Sequence, residues 1–185
     1  TAVNLWFSDE ANATANYGHI SDWNTSAVTN MTSAFLGRTA FNEDISKWDL
    51  SNVSSTFRMF EQAHSFDQNI SGWDTSALVD MGQMFLGARA FNQDISFWNT
   101  TSVQNMRHAF LMATSFNKDI NNWDTSSVVN MTLMFRDAIS FNRNISDWNV
   151  SSVIHMGNMF DNTNTLSNSN KGEIHKSFSA NPNWS

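Results

Sequence analysis

FNKDINNWDTSSVVNMTLMFRDAIS, Phe116 to Ser140, is preceded by FNQDISFWNTTSVQNMRHAFLMATS, Phe91 to Ser115, and followed by FNRNISDWNVSSVIHMGNMFDNTNT, Phe141 to Thr165. The three stretches are variants of one phrase. Phe41, Phe66, Phe91, Phe116 and Phe141 lie twenty-five residues apart, and so do Trp23, Trp48, Trp73, Trp98, Trp123 and Trp148. Self-similarity at a period of about 20 to 50 residues marks a stack of coils, because one unit cannot bury its apolar side chains alone.

In the fifth unit the recurring apolar set is Phe116, Ile120, Trp123, Val128, Met131, Met134, Phe135 and Ala138. These aromatics and methionines read as stacked core rungs, since buried rings carry most of the burial energy. Met131, Met134, Phe135 and Ala138 fall at i, i+3, i+4 and i+7, the spacing of one face of a short helix. The position after the recurring Val or Leu carries Thr29, Ser54, Val79, Gln104, Val129 and Ile154. Its β-branched bias predicts a short strand across Ser127–Asn130. A competing reading makes Ser126 a helix N-cap and adds Val128 to the helical stripe.

The block F-N-x-D-I-S-x-W-D-x-S-x-V-x-N-M-x-x-M-F resembles the repeat of the BspA-like surface proteins, a domain of unknown function distantly related to leucine-rich repeats. The resemblance runs from about Tyr17 to Thr165, and the flanks LWFSDEANATANYGHISDWNTSAVTNM and LSNSNKGEIHKSFSANPNW are similar to that family's opening and closing segments. It implies an α/β solenoid, a right-handed leucine-rich-repeat-like coil of about six 25-residue repeats, each with a short strand and a short helix. It favours the strand-first alternative. Thr56 departs from the pattern where other units place Met, with Phe57 expected to fill the gap; Arg38 and Thr163 replace the small residue, and the closing segment lacks the family's Cys.

A stack exposes its core at both ends unless something covers it. Residues 1–16, with Val3, Leu5 and Trp6, are expected to form an N-terminal helical cap. Residues 17–165 form the six-coil body. Residues 166–185, with Ile174, Phe178 and Trp184, are expected to fold a helix and tail over the far end. The whole is one domain, as 185 residues suggest.

Ten Lys and Arg against seventeen Asp and Glu give a net charge of −7, which opposes binding to a phosphate backbone or an anionic membrane. No nucleic acid partner is expected. No run of about eighteen apolar residues is present, so no transmembrane segment is expected. Without cysteine there are no disulfides, zinc-thiolate sites or Cys nucleophiles.

No nucleophile elbow, phosphate loop, dinucleotide fingerprint or zinc-protease motif occurs. His19, His64, His108, His155 and His175 occupy different repeat positions, and the pairs Asp9/Glu10 and Glu43/Asp44 are adjacent rather than convergent. No catalytic, cofactor-binding or metal-ligating residue is assigned and no cofactor is expected; the chain reads as a non-enzyme. Three columns stand out instead: Asn42, Asp67, Asn92, Asn117 and Asn142; Asp44, Asn69, Asp94, Asp119 and Asn144; Asp49, Asp74, Asn99, Asp124 and Asn149. Stacked carboxylates suit Ca²⁺. Free interchange of Asn with Asp better suits side chains that satisfy backbone groups at turns.

The N-x-S/T sequons mark Asn12, Asn24, Asn30, Asn52, Asn69, Asn99, Asn130, Asn144, Asn149 and Asn183 as N-glycosylation candidates, which would have to face solvent in a secreted eukaryotic protein. The expected function is an extracellular or cell-surface recognition or adhesion scaffold whose partners are protein or glycan surfaces. The alternative is a structural protomer of a self-assembling glycosylated filament or coat, whose partners are copies of itself. In the unit Phe91–Ser115, Phe97, Gln104, Arg107 and His108 are the candidates for an outward face.

Overall fold

The computed structural model describes residues 1–184. Among these, α-helix occurs only near the ends: α1 (Ala2–Ser8), α2 (Glu10–Tyr17) and α3 (Asn168–Phe178). A 3-10 turn spans Ile20–Asp22. Between them the chain is a succession of turns and bends. Single parallel bridges join Asn30 to Ser55, Ser55 to Asp80, Asp80 to Asn105, Asn105 to Asn130 and Asn130 to His155.

The expected α/β solenoid, a leucine-rich-repeat-like coil with a strand and a helix in each of six repeats, is therefore overturned. Spacing shows why a helix is excluded. Phe35, Phe60, Phe85, Phe110, Phe135 and Phe160 belong to the segment read as helical, yet consecutive rings stand only 5.4–5.7 Å apart. A helix with its side chains is about 10 Å across. Two left-handed residues also interrupt each segment: Leu133 (φ 57°) and Asp137 (φ 58°) in the fifth repeat, with His108 and Met112 at the same places in the fourth.

What replaces the helix is a ladder of turns whose peptide groups alternate between two kinds of partner. In the fourth repeat the N–H groups of Met106, His108, Phe110 and Met112 donate to the carbonyls of Asn130, Thr132, Met134 and Arg136 in the next repeat, at 2.9–3.0 Å. The intervening N–H groups of Ala109, Leu111 and Ala113 turn back to the carbonyls three residues earlier, at 3.0–3.2 Å. Left-handed His108 and Met112 are the third residues of the turns Met106–Ala109 and Phe110–Ala113, the position where a type II turn needs positive φ. This four-residue rhythm places Met106, Ala109, Phe110 and Ala113 inward, the same positions that a helical stripe selects, so the two patterns coincide.

The strand is lost for a related reason. Val129 N–H donates back to Gln104, while Met131 N–H donates forward to His155, so the chain changes neighbours across a single residue. At that residue Asn130 Oδ1 accepts from Thr132 N–H at 3.0 Å, closing a turn that ends the extended stretch.

Inside, each residue packs on its own equivalent. Phe66 stacks on Phe91 at 6.0 Å, Trp73 on Trp98 at 6.2 Å and Trp98 on Trp123 at 6.5 Å. Each buried indole N–H finds a carbonyl in the preceding repeat: Trp98 Nε1 donates to Ile70 at 3.1 Å and Trp123 Nε1 to Ile95 at 3.0 Å. Thr56 is fully buried in the Met column, and its hydroxyl donates to Met84 Sδ at 3.2 Å. Phe57, expected to fill that gap, is half-buried and lies outside the core.

At the start, Asp9 ends α1 and begins α2, its carboxylate accepting from Asn12 N–H at 3.0 Å, so two short helices stand where one was expected. Trp6 meets Trp23 edge-on at 5.9 Å and Phe7 meets Phe35 at 6.2 Å. At the far end Ile174 and Phe178 of α3 are buried and Trp184 lies edge-on to Phe160 at 6.2 Å. The last residue of the closing segment, Ser185, lies outside the described residues.

Two stability changes follow from this packing. Trp98→Ala is expected to lose about 3–5 kcal/mol in urea denaturation, because the cavity opens between two indoles. Gly37 has φ +69°, and nothing lies within 4 Å of the place a Cβ would occupy, so Gly37→Ala isolates the backbone term and should lose about 1 kcal/mol. Gly72, equally open but without positive φ, should change by less than about 0.5 kcal/mol when replaced by Ala.

Candidate functional site

The ladder places the polar columns on the outside and gives each a structural task. In the first column a side chain bonds to the next repeat: Asn42 Oδ1 accepts from Asp67 N–H at 2.9 Å, Asp67 Oδ1 from Asn92 N–H at 2.8 Å and Asn92 Oδ1 from Asn117 N–H at 3.0 Å. In the second and third, each side chain closes its own turn. Asp94 accepts from Ser96 N–H at 3.0 Å, Asp74 from Ser76 N–H at 2.9 Å and Asp124 from Ser126 N–H at 2.9 Å. These oxygens are committed to backbone groups, which accounts for the interchange of Asn and Asp better than a calcium site does.

These bonds also favour the ionised carboxylates. Asp49, Asp74 and Asp124 are held below the usual carboxylate range chiefly by the hydroxyl of the serine two residues on, then by its N–H; at Asp44 and Asp94 the N–H contributes most. Among the described residues no group of three or more His, Asp or Glu side chains is placed to hold a metal ion.

The five histidines stay apart in role. His19 Nδ1 pairs with Ser21 Oγ at 2.8 Å, His64 Nε2 with Gln62 Oε1 at 2.8 Å, and His175 Nδ1 accepts from Trp184 Nε1 at 3.0 Å. Burial, and then the Arg107 guanidinium, push His108 down, and its Nε2 accepts from Arg107 Nε at 3.3 Å. His155 is exposed at the last bridge. The adjacent acids likewise act separately: Asp9 caps α2 and Asp44 closes a turn with Ser46.

Of the residues expected on the outer face, Phe97 is 82% exposed, Gln104 and Arg107 are exposed, and His108 is half-buried. Gln104 belongs to an outward column that ends in Val129 and Ile154, both exposed apolar residues. Met112 stands exposed on the second left-handed column.

The sequon asparagines are exposed except Asn130, which is half-buried. At Asn24, Asn69, Asn99, Asn144 and Asn149, Oδ1 accepts from the N–H of the sequon's own Ser or Thr at 3.0–3.1 Å. Asn30 and Asn130 do the same at bridge positions. Asn12 Oδ1 accepts from Asn16 Nδ2 at 2.7 Å, whereas Asn52 and Asn183 use Nδ2 to donate to Ser26 and Val153 carbonyls. The hydroxyl residue of the Asn183 sequon is Ser185, outside the described residues.

Three features escaped the sequence reading. Thr25, Thr75, Thr100 and Thr125 form a buried column whose hydroxyls donate to carbonyls twenty-four residues on, at 2.9–3.0 Å. Its signal was the Thr recurring two residues after Trp. The column Asn30, Ser55, Asp80, Asn105 and Asn130 caps turns as the named columns do, visible as a polar residue before the Met position. The first left-handed column carries no common residue type, and the second left only the weak signal of Gly37, Gly87, Asp137 and Asn162 at one repeat position.

A chain in which each unit bonds to its neighbours and repeats their contacts is a repeat protein, built here from turns. It belongs to the family described as Mycoplasma protein of unknown function, DUF285, whose model matches residues 3–103 and again 89–180. No curated protein and no solved structure matches the chain.

The depressed carboxylates of Asp44, Asp49, Asp74, Asp94 and Asp124 set a direction with pH. Their folded values lie below the unfolded value of about 3.9, so their contribution is present above that pH and is lost as pH falls through the folded values. Stability in urea should therefore fall on acidification below about pH 4. Asp74→Asn keeps the turn acceptor and removes one titration, so it should make that fall shallower; an unchanged slope contradicts the assignment.

Proposed function

We propose that this is a non-enzymatic extracellular or cell-surface protein, akin to the BspA-like surface proteins, that acts as a recognition or adhesion scaffold for protein or glycan surfaces. One observation carries it: apart from the turn-closing Asn and Asp columns, outward positions such as Thr29, Ser54, Val79, Gln104, Val129 and Ile154 differ between repeats on a backbone locked in register. Arg58, Gln83, His108, Leu133 and Met112 all project from left-handed backbone. That conformation costs about 1–2 kcal/mol for a residue with a Cβ. The exposed apolar side chains Phe97, Met112, Val129 and Ile154 supply the contacts that such a surface uses.

The sequons fit the same location. At Asn24, Asn69, Asn99, Asn144 and Asn149 the carbonyl closes a turn and Nδ2 has no protein partner among the described residues, so a glycan there leaves the turn intact. Peptide mapping of protein from its native source is expected to find carbohydrate at these five positions and none at half-buried Asn130. A chain unmodified throughout contradicts the glycosylated extracellular part of the proposal.

Recognition is tested by exposing the fluorescently labelled chain to an array of purified glycans and extracellular-matrix proteins. Binding is expected to weaken at least about tenfold in the Phe97→Ala/Ile154→Ser variant, as loss of anchor side chains does, with melting unchanged. No binding above a charge-matched control, or binding indifferent to these changes, contradicts it. The second reading, a self-assembling structural protomer, is favoured by the state of the ladder at its two ends.

A further inference from the structure

Every interior junction is made by the same four donors and acceptors. At the last one, Met131, Leu133, Phe135 and Asp137 donate N–H groups to the carbonyls of His155, Gly157, Met159 and Asp161 at 2.7–3.1 Å. The equivalents one repeat later, the N–H groups of Met156, Asn158, Phe160 and Asn162, have no hydrogen-bond partner among the described residues. At the opposite end the carbonyls of Asn30, Thr32, Ala34 and Leu36 have none either, although their equivalents in every later repeat accept a bond. One end of the molecule thus presents a row of donors, and the other presents the acceptors that match it in spacing and order.

Each row borders open space. Asn30, Thr32 and Ala34 line a cavity of about 540 Å³ together with Thr1–Asn4 and the rings of Tyr17, Trp23 and Trp48. Asn158 and Phe160 line one of about 450 Å³ against Lys171, His175 and Trp184. The terminal helices differ in charge, residues 1–17 carrying Asp9 and Glu10 without a Lys or Arg and α3 carrying Lys171 and Lys176 against Glu173, while Asp161 beside the donors and Arg38 beside the acceptors form a second complementary pair of opposite sense.

We propose that a second copy of this chain docks head to tail, the Met156–Asn162 donors of one copy bonding to the Asn30–Leu36 carbonyls of the next. A contact between two different ends leaves a free end on each copy, so it propagates into a string or closes into a ring. The terminal segments cover ring positions at both ends, Phe7 on Phe35 and Trp184 on Phe160, so the copies meet first at the exposed positions Asn30 and Thr32 on one side and Asn158 and Asn162 on the other. Such an edge contact is weak and concentration-dependent. It does not depend on what the outer face recognises.

In this pairing Asn158 of one copy faces Thr32 of the next, as His108 faces Thr132 inside the molecule. Both side chains are exposed. Sedimentation velocity of the full chain from micromolar to millimolar concentration is expected to show a weight-average mass that rises with concentration. Thr32→Glu/Asn158→Glu places two carboxylates at every junction and should weaken association at least about tenfold. Thr32→Glu/Asn158→Lys should restore it. The two variants share the backbone strain of a longer side chain at left-handed Asn158 (φ 56°), so that strain does not distinguish them. A monomer mass at all concentrations overturns the proposal, as does association that is the same in the two variants.

Discussion

Everything in this molecule depends on the alternation of peptide hydrogen bonds along Met31–Arg38 and its equivalents. After an opening N–H that a side chain such as Asn130 accepts, one N–H bonds to the next repeat and the next turns back three residues, so the donors of every repeat but the last are placed without helix or sheet. A single repeat closes only half of these bonds and has no independent stability. The strict period of twenty-five residues follows, because the inter-repeat bond runs from residue i to i+24 and one inserted residue would throw every bond that spans it out of register. Left-handed residues are the accompanying constraint, since the chain reverses at each of them.

Stacking in register also dictates composition. Like sits on like at roughly the 5 Å spacing of neighbouring strands. Phe on Phe and Trp on Trp bury large surfaces with good ring geometry. Identical charges in that arrangement repel, and Asp49 does raise Asp74 against the lowering effect of Ser76. The columns dilute this by mixing Asn with Asp, and only 15% of residues are charged. Buried polar atoms are matched across repeats, Trp indoles with Ile carbonyls and Thr hydroxyls with carbonyls twenty-four residues on, so specificity of register comes from inside as well as from the ladder.

The stacking partners were legible in the sequence, and the backbone between them was not. Phe91, Ile95, Trp98, Val103, Met106 and Phe110 announce themselves by period, and all are buried. The helix read from Met131, Met134, Phe135 and Ala138 failed because a four-residue turn rhythm selects the same positions. Left-handed Leu133 carries no sequence mark that separates it from a helical residue. The strand expected at Ser127–Asn130 does not form, because Asn130 closes a turn beside β-branched Val129. On the outer face, the Asn and Asp columns lie at turns as expected, whereas His108 is half-buried beside Arg107.

The faces and the ends then have separate physical bases: outward side chains vary because no rung constrains them, and the ends retain the ladder's unpaired groups because a stack of finite length must. Both rest on the alternating bonds being as described. Hydrogen-bond scalar couplings measured by NMR test this directly. Phe110 N–H is expected to couple to the carbonyl of Met134, and Ala113 N–H to that of Phe110. A coupling from Phe110 N–H to the carbonyl of Met106, the bond an α-helix makes, would contradict the account.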